Sequence, residues 1–199
     1  MMFTKTNSIK WVAVVVLLIT VVFAGLALAA GDNSQTNASV ETLKFDVSED
    51  MNRFAFDQTK TFDDGLPAHG SSFVTEGYIY EYGTLNGSDG VLADGSPEFS
   101  DKVIGTWICK GWFVGDAAHA TEGVWVVSTQ IYNFGEEYGN TMLITEGYES
   151  AATGETIARA ITGGTGQYTG ADGVANQVLL GFNEGTEGVN LRFEVAFAK

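Results

Sequence analysis

The stretch that decides the fold runs from Ile161 to Asn183 and reads ITGGTGQYTGADGVANQVLLGFN. It contains a Gly-Gly-x-Gly core at residues 163–166, followed by further glycines at Gly170 and Gly173. Glycine adopts positive φ angles without a steric penalty and therefore marks tight turns and close backbone contacts. After these glycines, the residues from Val174 to Gly181 alternate with the period of a β-strand. The stretch therefore predicts two strands joined by a glycine-rich turn.

The same glycines do not fit a phosphate-binding loop. A P-loop requires Gly-Lys-Ser/Thr at the start of a helix, whereas Gly166 is followed by Gln167 and Tyr168. A dinucleotide fingerprint also needs a helix directly after its glycines, and the residues here have a strand period instead. The sequence therefore argues against a nucleotide cofactor.

Strand-like segments separated by glycine turns continue outward from this stretch in both directions. The predicted strands are 41–46, 72–85, 102–114, 123–134, 140–148, 156–162, 173–182 and 189–198. Regularly spaced short strands of this kind indicate a barrel or a sandwich. Closure into a barrel would remove the exposed edges of long apolar strands such as 103–114. The sequence therefore predicts an all-β domain with eight strands.

The glycine turn also carries a resemblance to a known group of proteins. Residues 163–173, GGTGQYTGADG, resemble the signature shared by plant dirigent proteins and allene oxide cyclases. The remainder is similar to bacterial allene-oxide-cyclase-like barrels, at 73–80, 102–107 and 190–193, and the resemblance covers about Leu43 to Ala198. It implies an eight-stranded antiparallel up-and-down β-barrel with a largely apolar interior. It also implies association into homo-oligomers, because dirigent proteins form trimers.

The N-terminus has the three-part pattern of a secretory signal peptide. Lys5 and Lys10 precede an apolar run from Trp11 to Leu28, and Ala27-Leu28-Ala29 fits a cleavage site. We therefore expect a signal helix at 1–29, a flexible linker at 30–40 and one barrel domain at 41–199. This pattern predicts a secreted or periplasmic protein. The apolar run is also long enough for an uncleaved anchor, which would be its sole contact with a membrane.

Charge and cysteine content exclude several classes of function. The chain has 10 basic and 25 acidic residues, a formal net charge of −15. Such a surface repels nucleic acids and anionic lipid headgroups, which need cationic partners. Cys109 is the one cysteine in the sequence, so no intramolecular disulfide can form, and its apolar strand predicts a buried structural thiol.

The lumen of the predicted barrel is the expected ligand site, because eight strands enclose room for packed side chains or one small ligand. Aromatic and apolar positions of the predicted strands are its candidate walls. The candidate ligand-binding residues are Tyr78, Tyr80, Trp107, Cys109, Trp125 and Tyr148. The alternative is that these side chains fill the barrel or cover its outside.

Two glutamates and one arginine are the candidate catalytic residues. The sequence Val-Thr-Glu-Gly-Tyr at 74–78 recurs as Ile-Thr-Glu-Gly-Tyr at 144–148, which suggests equivalent placement of Glu76 and Glu146. If both point inward, burial and mutual repulsion would raise at least one pKa and suit a general acid or base. If they point outward, they contribute only surface charge. Arg159 could pair with one of them or hold a substrate oxyanion, with a surface position as its alternative.

Motifs for other chemistries are missing from the sequence. It has no zinc-ligand spacing and no Gly-x-Ser-x-Gly elbow, so we predict no metal and no other cofactor. Three functions remain open. The first is an exported barrel that binds a small hydrophobic molecule. The second, implied by the resemblance, is a cyclase or isomerase that shapes a flexible substrate for ring closure. The third is a dirigent-like steering protein without its own redox activity.

Overall fold

The computed structural model describes residues 40–198, which form eight β-strands. The strands are β1 (Glu41–Phe56), β2 (Ser72–Glu81), β3 (Val103–Phe113), β4 (Val124–Phe134), β5 (Met142–Ser150), β6 (Thr156–Gly164), β7 (Asp172–Phe182) and β8 (Val189–Ala198). Within this part of the chain, no helix has the length and apolar character needed to cross a membrane. The predicted signal helix and nearly all of the predicted linker lie outside the described residues.

The eight strands close into one antiparallel barrel in sequence order. Each strand pairs with the next, and β8 pairs with β1, where Leu191 lies opposite Val47. This arrangement confirms the predicted up-and-down barrel. Side chains alternate between lumen and exterior along each strand, so Trp107, Cys109 and Phe113 on β3 all point inward and are buried.

The first strand is much longer than the sequence predicts. β1 continues past Asp46 to Phe56, with a shift in its register against β2 between Asp50 and Ala55. The charged run Ser48-Glu49-Asp50 looks like a loop in the sequence, because acidic residues are seldom buried. In the fold, Glu49 instead continues the inward face begun by Phe45, and all three residues of the run are buried.

The glycine-rich turn between β6 and β7 closes one end of the barrel. Gly166 has a φ of +58°, and a side chain there would collide with the carbonyl oxygen of Asn140. The turn places the ring of Tyr168 against Phe134 and Phe197, with centroids 5.5 and 5.7 Å away. Tyr168 is 5% exposed and acts as a plug.

Aromatic rings fill the lumen behind this plug. Phe45 contacts Tyr132 and Phe193 at centroid distances of 5.0 Å, and Phe134 at 5.4 Å. Rings at such distances attract one another beyond the effect of burial alone. We call this region the closed end, and it comprises Phe45, Tyr132, Phe134, Tyr168, Phe193 and Phe197. Side chains therefore fill the lumen here, and the space for a ligand inside the barrel lies at the other end.

Candidate functional site

A pocket of about 180 Å³ lies at the opposite end of the barrel, which we call the open end. Six aromatic residues line it, and the rings of four of them are in contact: Phe54, Phe73, Phe113 and Trp125. Phe113 lies 5.2 Å from Phe73 and 6.3 Å from Trp125, measured between ring centroids. An engineered apolar cavity of about 150 Å³ binds benzene, so the pocket has room for a small ring compound.

Two loops meet over the mouth of the pocket. Pro67, from the loop after β1, accepts a hydrogen bond of 3.2 Å from the backbone N–H of Ala118, from the loop after β3, and both residues line the pocket. Nearby, the His119 ring stacks on Phe62 at 4.0 Å, and its Nε2 lies 2.8 Å from a carboxylate oxygen of Asp64. Contacts between the two loops therefore form the mouth of the pocket.

Below the aromatic walls, a layer of polar side chains crosses the lumen. Its members are Ser128, Gln130, Thr145, Glu149, Arg159 and Gln177, and we call it the polar layer. Glu149 accepts hydrogen bonds from Gln177 Nε2 at 3.1 Å, from the Cys109 thiol at 3.5 Å and from the Ser128 hydroxyl. The same carboxylate lies 3.7 Å from the Arg159 guanidinium. Glu149 is thus a buried acid with both hydrogen-bond donors and a counter-ion.

Arg159 occupies the centre of this layer and is 1% exposed. Its Nε donates to the Thr145 hydroxyl at 3.2 Å, and its terminal nitrogens donate to the carbonyl oxygens of Tyr148 at 3.1 Å and Ser128 at 2.9 Å. The alternative of a surface position for Arg159 is therefore wrong. Pairing with a glutamate does occur, but the partner is Glu149 and neither of the two predicted glutamates.

Glu49 is a second buried acid at the wall of the pocket, and it is 5% exposed. Burial raises its pKa from an ordinary 4.5 to about 7, opposed in part by a hydrogen bond of 2.9 Å from the backbone N–H of Val189. The charge of Glu149 raises the pKa further. Among residues 40–198, no basic side chain forms an ion pair with Glu49. A carboxyl in this state can hold or release a proton near neutral pH.

Two buried polar atoms beside the pocket have no hydrogen-bond partner in the described structure. They are the hydroxyl oxygen of Thr75 and the indole nitrogen of Trp125, and both residues line the pocket. The Thr75 hydroxyl is near enough to Glu49 to favour its ionised form, although the geometry falls short of a good hydrogen bond. Buried polar groups are normally satisfied, so such atoms in a pocket suggest a missing partner.

Cys109 lies in the pocket wall with its thiol buried. Burial and the neighbouring Glu149 charge raise the pKa of this thiol well above its usual range. The sulfur therefore stays protonated and donates to Glu149. This environment agrees with the structural thiol that the sequence predicts and disfavours a nucleophilic role.

Of the predicted ligand-binding residues, Trp107, Cys109 and Trp125 line the pocket. The other three do not. Tyr78 and Tyr80 lie on the outer face of β2, where the following loop covers them and accepts their hydroxyl hydrogen bonds at Gly95 and Gly90. Tyr148 lies on the outer face of β5 and is 56% exposed.

The predicted catalytic glutamates also face outward. Glu76 is exposed and pairs with Arg53 at 2.8 Å, and Glu146 is exposed and accepts a hydrogen bond from Thr129 at 3.1 Å. In both copies of the Thr-Glu-Gly-Tyr sequence, threonine and glycine take the inward positions, as the burial of Thr75 shows. An inward location for Glu76 and Glu146 is therefore wrong, and Glu49 and Glu149 are the acids at the lumen.

The alternation of side chains along β1 and β5 could have identified the two buried acids, which the sequence analysis did not predict. Glu49 shares a face with Phe45 and Val47, and Glu149 shares a face with Leu143 and Thr145. Extending those two faces to the ends of their strands would have placed both glutamates in the lumen.

Comparison with known proteins identifies the fold but no close relative. No family model and no curated protein matches the chain. Among solved structures, it is similar to two pterocarpan synthase dirigent proteins. PsPTS1 is 14% identical, with a TM-score of 0.56, and the match covers 80% of this chain and 95% of that one. GePTS1 is 12% identical, with a TM-score of 0.57 and coverage of 81% and 92%.

A pyocyanin demethylase is similar at 14% identity and a TM-score of 0.50, over 79% of this chain and all of that one. These matches agree with the eight-stranded barrel fold that the glycine signature implies. At such low identity, they show the fold alone.

Proposed function

We propose that this protein binds a small, mostly apolar molecule in the pocket at the open end of the barrel. The observation that carries the proposal is the pocket itself, with its wall of four contiguous aromatic rings. Concave, largely apolar sites with a few polar groups are the usual form of small-molecule sites. The closed end needs no ligand, because aromatic side chains already fill it.

A filling variant tests this proposal with a control from the same strand. Val126 on β4 is buried and lines the pocket, whereas the adjacent Val127 does not line it. We expect Val126→Phe to abolish binding and Val127→Phe to leave it unchanged. Binding is measured by the fluorescence of Trp107 and Trp125 in a screen of small hydrophobic compounds. If Val126→Phe unfolds, Met51→Trp at the exposed rim provides a second way to obstruct the pocket.

Native mass spectrometry of the protein purified from its own source is the complementary measurement. A retained small molecule that Val126→Phe fails to retain would support the proposal. Recovery of nothing, together with no fluorescence change for any compound, would overturn it.

A second candidate function is catalysis of a ring closure or isomerisation, and Glu49 favours it. Its carboxyl lies at the pocket wall with a pKa near neutral, so the same group can accept a proton and return it. The rest of the catalysis would be positioning, since apolar walls hold a flexible molecule in one conformation. Glu149 would keep its ion pair with Arg159 and hold the polar layer in place.

Replacement of the carboxyl distinguishes catalysis from steering. We expect Glu49→Gln to reduce turnover of the recovered ligand by about 10²–10⁴-fold, the usual contribution of a general acid or base. Glu146→Gln, on the outer face, is the matched control and should be neutral. Unchanged turnover in Glu49→Gln would rule out proton transfer by this residue and leave binding or dirigent-like steering.

Export of the protein is a separate proposal that rests on residues 1–29. The lysines, apolar run and small residues of this segment support removal of a signal peptide after Ala29. N-terminal sequencing of the mature protein tests this, with residue 30 expected as the first residue. A protein that retains residues 1–29 and partitions with membranes would instead support the anchor.

A further inference from the structure

We infer that the pocket selects ring-bearing molecules with a positive charge over neutral or anionic molecules of the same shape. This inference rests on the proposed function, because it concerns the ligand class of the same pocket. The expected ligands of the pocket are therefore lipophilic amines or cationic ring systems.

The charges around the pocket are the first observation. Three glutamates line it, Glu49, Glu149 and Glu187, and the lining residues include no lysine, arginine or histidine. Arg159 compensates only Glu149, at 3.7 Å. A buried charge is costly unless it is paired, so an ionised Glu49 favours a ligand that brings a cation.

The other charged or titratable groups around Glu49 do not supply that cation. Asp50, its neighbour on β1, is acidic and pairs with Arg53, whose side chain is 54% exposed. Cys109 on β3 is held as a neutral thiol. None of the described residues that face Glu49 therefore supplies a compensating positive charge. A cationic ligand would supply it.

The hydroxyl of Thr75, next to Glu49, is a second observation. Thr75 is 1% exposed, lines the pocket and has a hydroxyl oxygen without a hydrogen-bond partner. That oxygen and the Glu49 carboxylate together offer adjacent acceptors to an ammonium group, which has only donors to give. An ammonium group would supply the donor that this buried oxygen lacks.

The aromatic walls restrict the cation to an organic one. Phe54, Phe73, Phe113 and Trp125 offer no oxygen ligands to a metal ion, but ring faces attract organic cations. Across residues 40–198, no cluster of three or more metal-ligating side chains occurs. The net charge of −15 would also concentrate cations near the protein and repel anions.

Three probes with the same ring test the inference. Benzylamine, benzyl alcohol and benzoate are titrated against the protein at pH 8, with tryptophan fluorescence and calorimetry as readouts. We expect the benzylammonium ion to bind at least about tenfold more tightly than the alcohol, which corresponds to one unit of pKa linkage. Benzoate should bind more weakly than either.

The pH dependence and one variant locate the source of the preference. Lowering the pH from 8 to 5.5 protonates Glu49 and should remove most of this preference, which for a tenfold preference weakens benzylammonium binding by about sevenfold, while the alcohol is unaffected. Glu49→Gln should remove both the preference and its pH dependence, and Glu146→Gln should keep both. A denaturant melt of each variant confirms that it folds.

The outcomes separate this inference from the proposed function. If the alcohol binds as tightly as the ammonium ion, the pocket binds ligands but the inference is overturned. A preference that persists in Glu49→Gln also overturns it, because the charge of Glu49 is then not its source. If none of the three probes binds, the inference is overturned, and the proposed function fails as well only if the compound screen and native mass spectrometry also find no ligand.

Discussion

The two ends of the barrel are built from the same eight strands but differ in how their interiors are filled. At the closed end, Phe45 packs between Tyr132 and Phe193 at 5.0 Å, and Tyr168 covers the exit. At the open end, Phe73 and Phe113 line a pocket of about 180 Å³. Strand alternation sets which residues face the lumen at both ends, but side-chain size and the covering loops decide whether space remains.

The polar layer lies between these two ends and explains why the difference matters chemically. It places Glu149 and Arg159 beneath the pocket, where water is largely excluded. Glu149 is compensated there, whereas Glu49 at the pocket wall is not. The open end therefore combines space with one buried, uncompensated acid, and the closed end has neither.

The largest expected effect is on the packing of the closed end. Phe193→Ala should reduce the free energy of unfolding by about 3–5 kcal/mol, because the cavity it leaves cannot collapse among the surrounding rings. Phe73→Ala at the half-buried pocket wall should cost only roughly 1–2 kcal/mol, since its ring already borders open space. Urea unfolding measures both. Equal losses would contradict the contrast between a filled end and an open one.

The next largest effect concerns the polar layer. Arg159→Met should cost about 3 kcal/mol, because it leaves Glu149 buried without its counter-ion. The value lies at the lower end for a buried pair, since Ser128 and Gln177 still donate to Glu149. The double variant Arg159→Met with Glu149→Gln should recover much of the loss. If the double variant loses the sum of both single effects, the pair is not coupled.

How much of this could be predicted from the sequence depends on the kind of feature. The strand period and glycine turns predicted all eight strands, and the alternation on β3 placed Trp107 and Cys109 on an inward face. The fold and one wall of the pocket could therefore be predicted from the sequence, because apolar periodicity is a local signal.

Which acidic residues face the lumen could not be predicted in the same way. Glu49 lies in a charged run that resembles a loop, and the local sequence shared by Glu76 and Glu146 left open whether these residues face the lumen or the solvent. Whether a strand presents its Thr/Gly face or its Glu/Tyr face to the lumen depends on the neighbouring strands, since a one-residue change of register exchanges the two faces. Burial of Arg159 likewise depends on Glu149 and Ser128, which are distant in sequence.

A smaller effect is expected in the pH dependence of stability, and it sharpens the contrast between Glu49 and Glu146. The pKa of Glu49 is raised from 4.5 to about 7 in the folded state, so the folded protein holds this proton more tightly than the unfolded chain. Stability is therefore lost as the pH rises from 4.5 to 7, and stays lower above it. Glu49→Gln removes this loss. As the pH rises from 4.5 to 8, the free energy of unfolding of the variant should therefore increase by about 2–3 kcal/mol relative to that of the wild type.

Denaturant melts at both pH values measure this gain. Glu146→Gln makes the same chemical change on the outer face and should show no comparable difference. A gain of the same size in Glu146→Gln would mean that overall charge, and not burial of one carboxyl, controls the pH dependence.

The smallest expected effect is at the glutamates of the outer face. Glu76→Gln loses an exposed ion pair with Arg53 and should change stability by less than about 1 kcal/mol, with ligand binding unaltered. Urea unfolding and the fluorescence titration measure the two properties. A loss of binding in Glu76→Gln would show that the outer face of β2 contributes to the site after all.

The account depends most on the state of Glu49 at the open end, and a carboxyl titration measures that state directly. With ¹³C-labelled glutamate, NMR should show one carboxyl that titrates near pH 7 and disappears in Glu49→Gln. Occupation of the pocket by benzylammonium should move its midpoint below 7, because the cation stabilises the ionised form. A midpoint near 4.5 for Glu49, unchanged by ligand, would contradict a buried, uncompensated acid at the pocket wall.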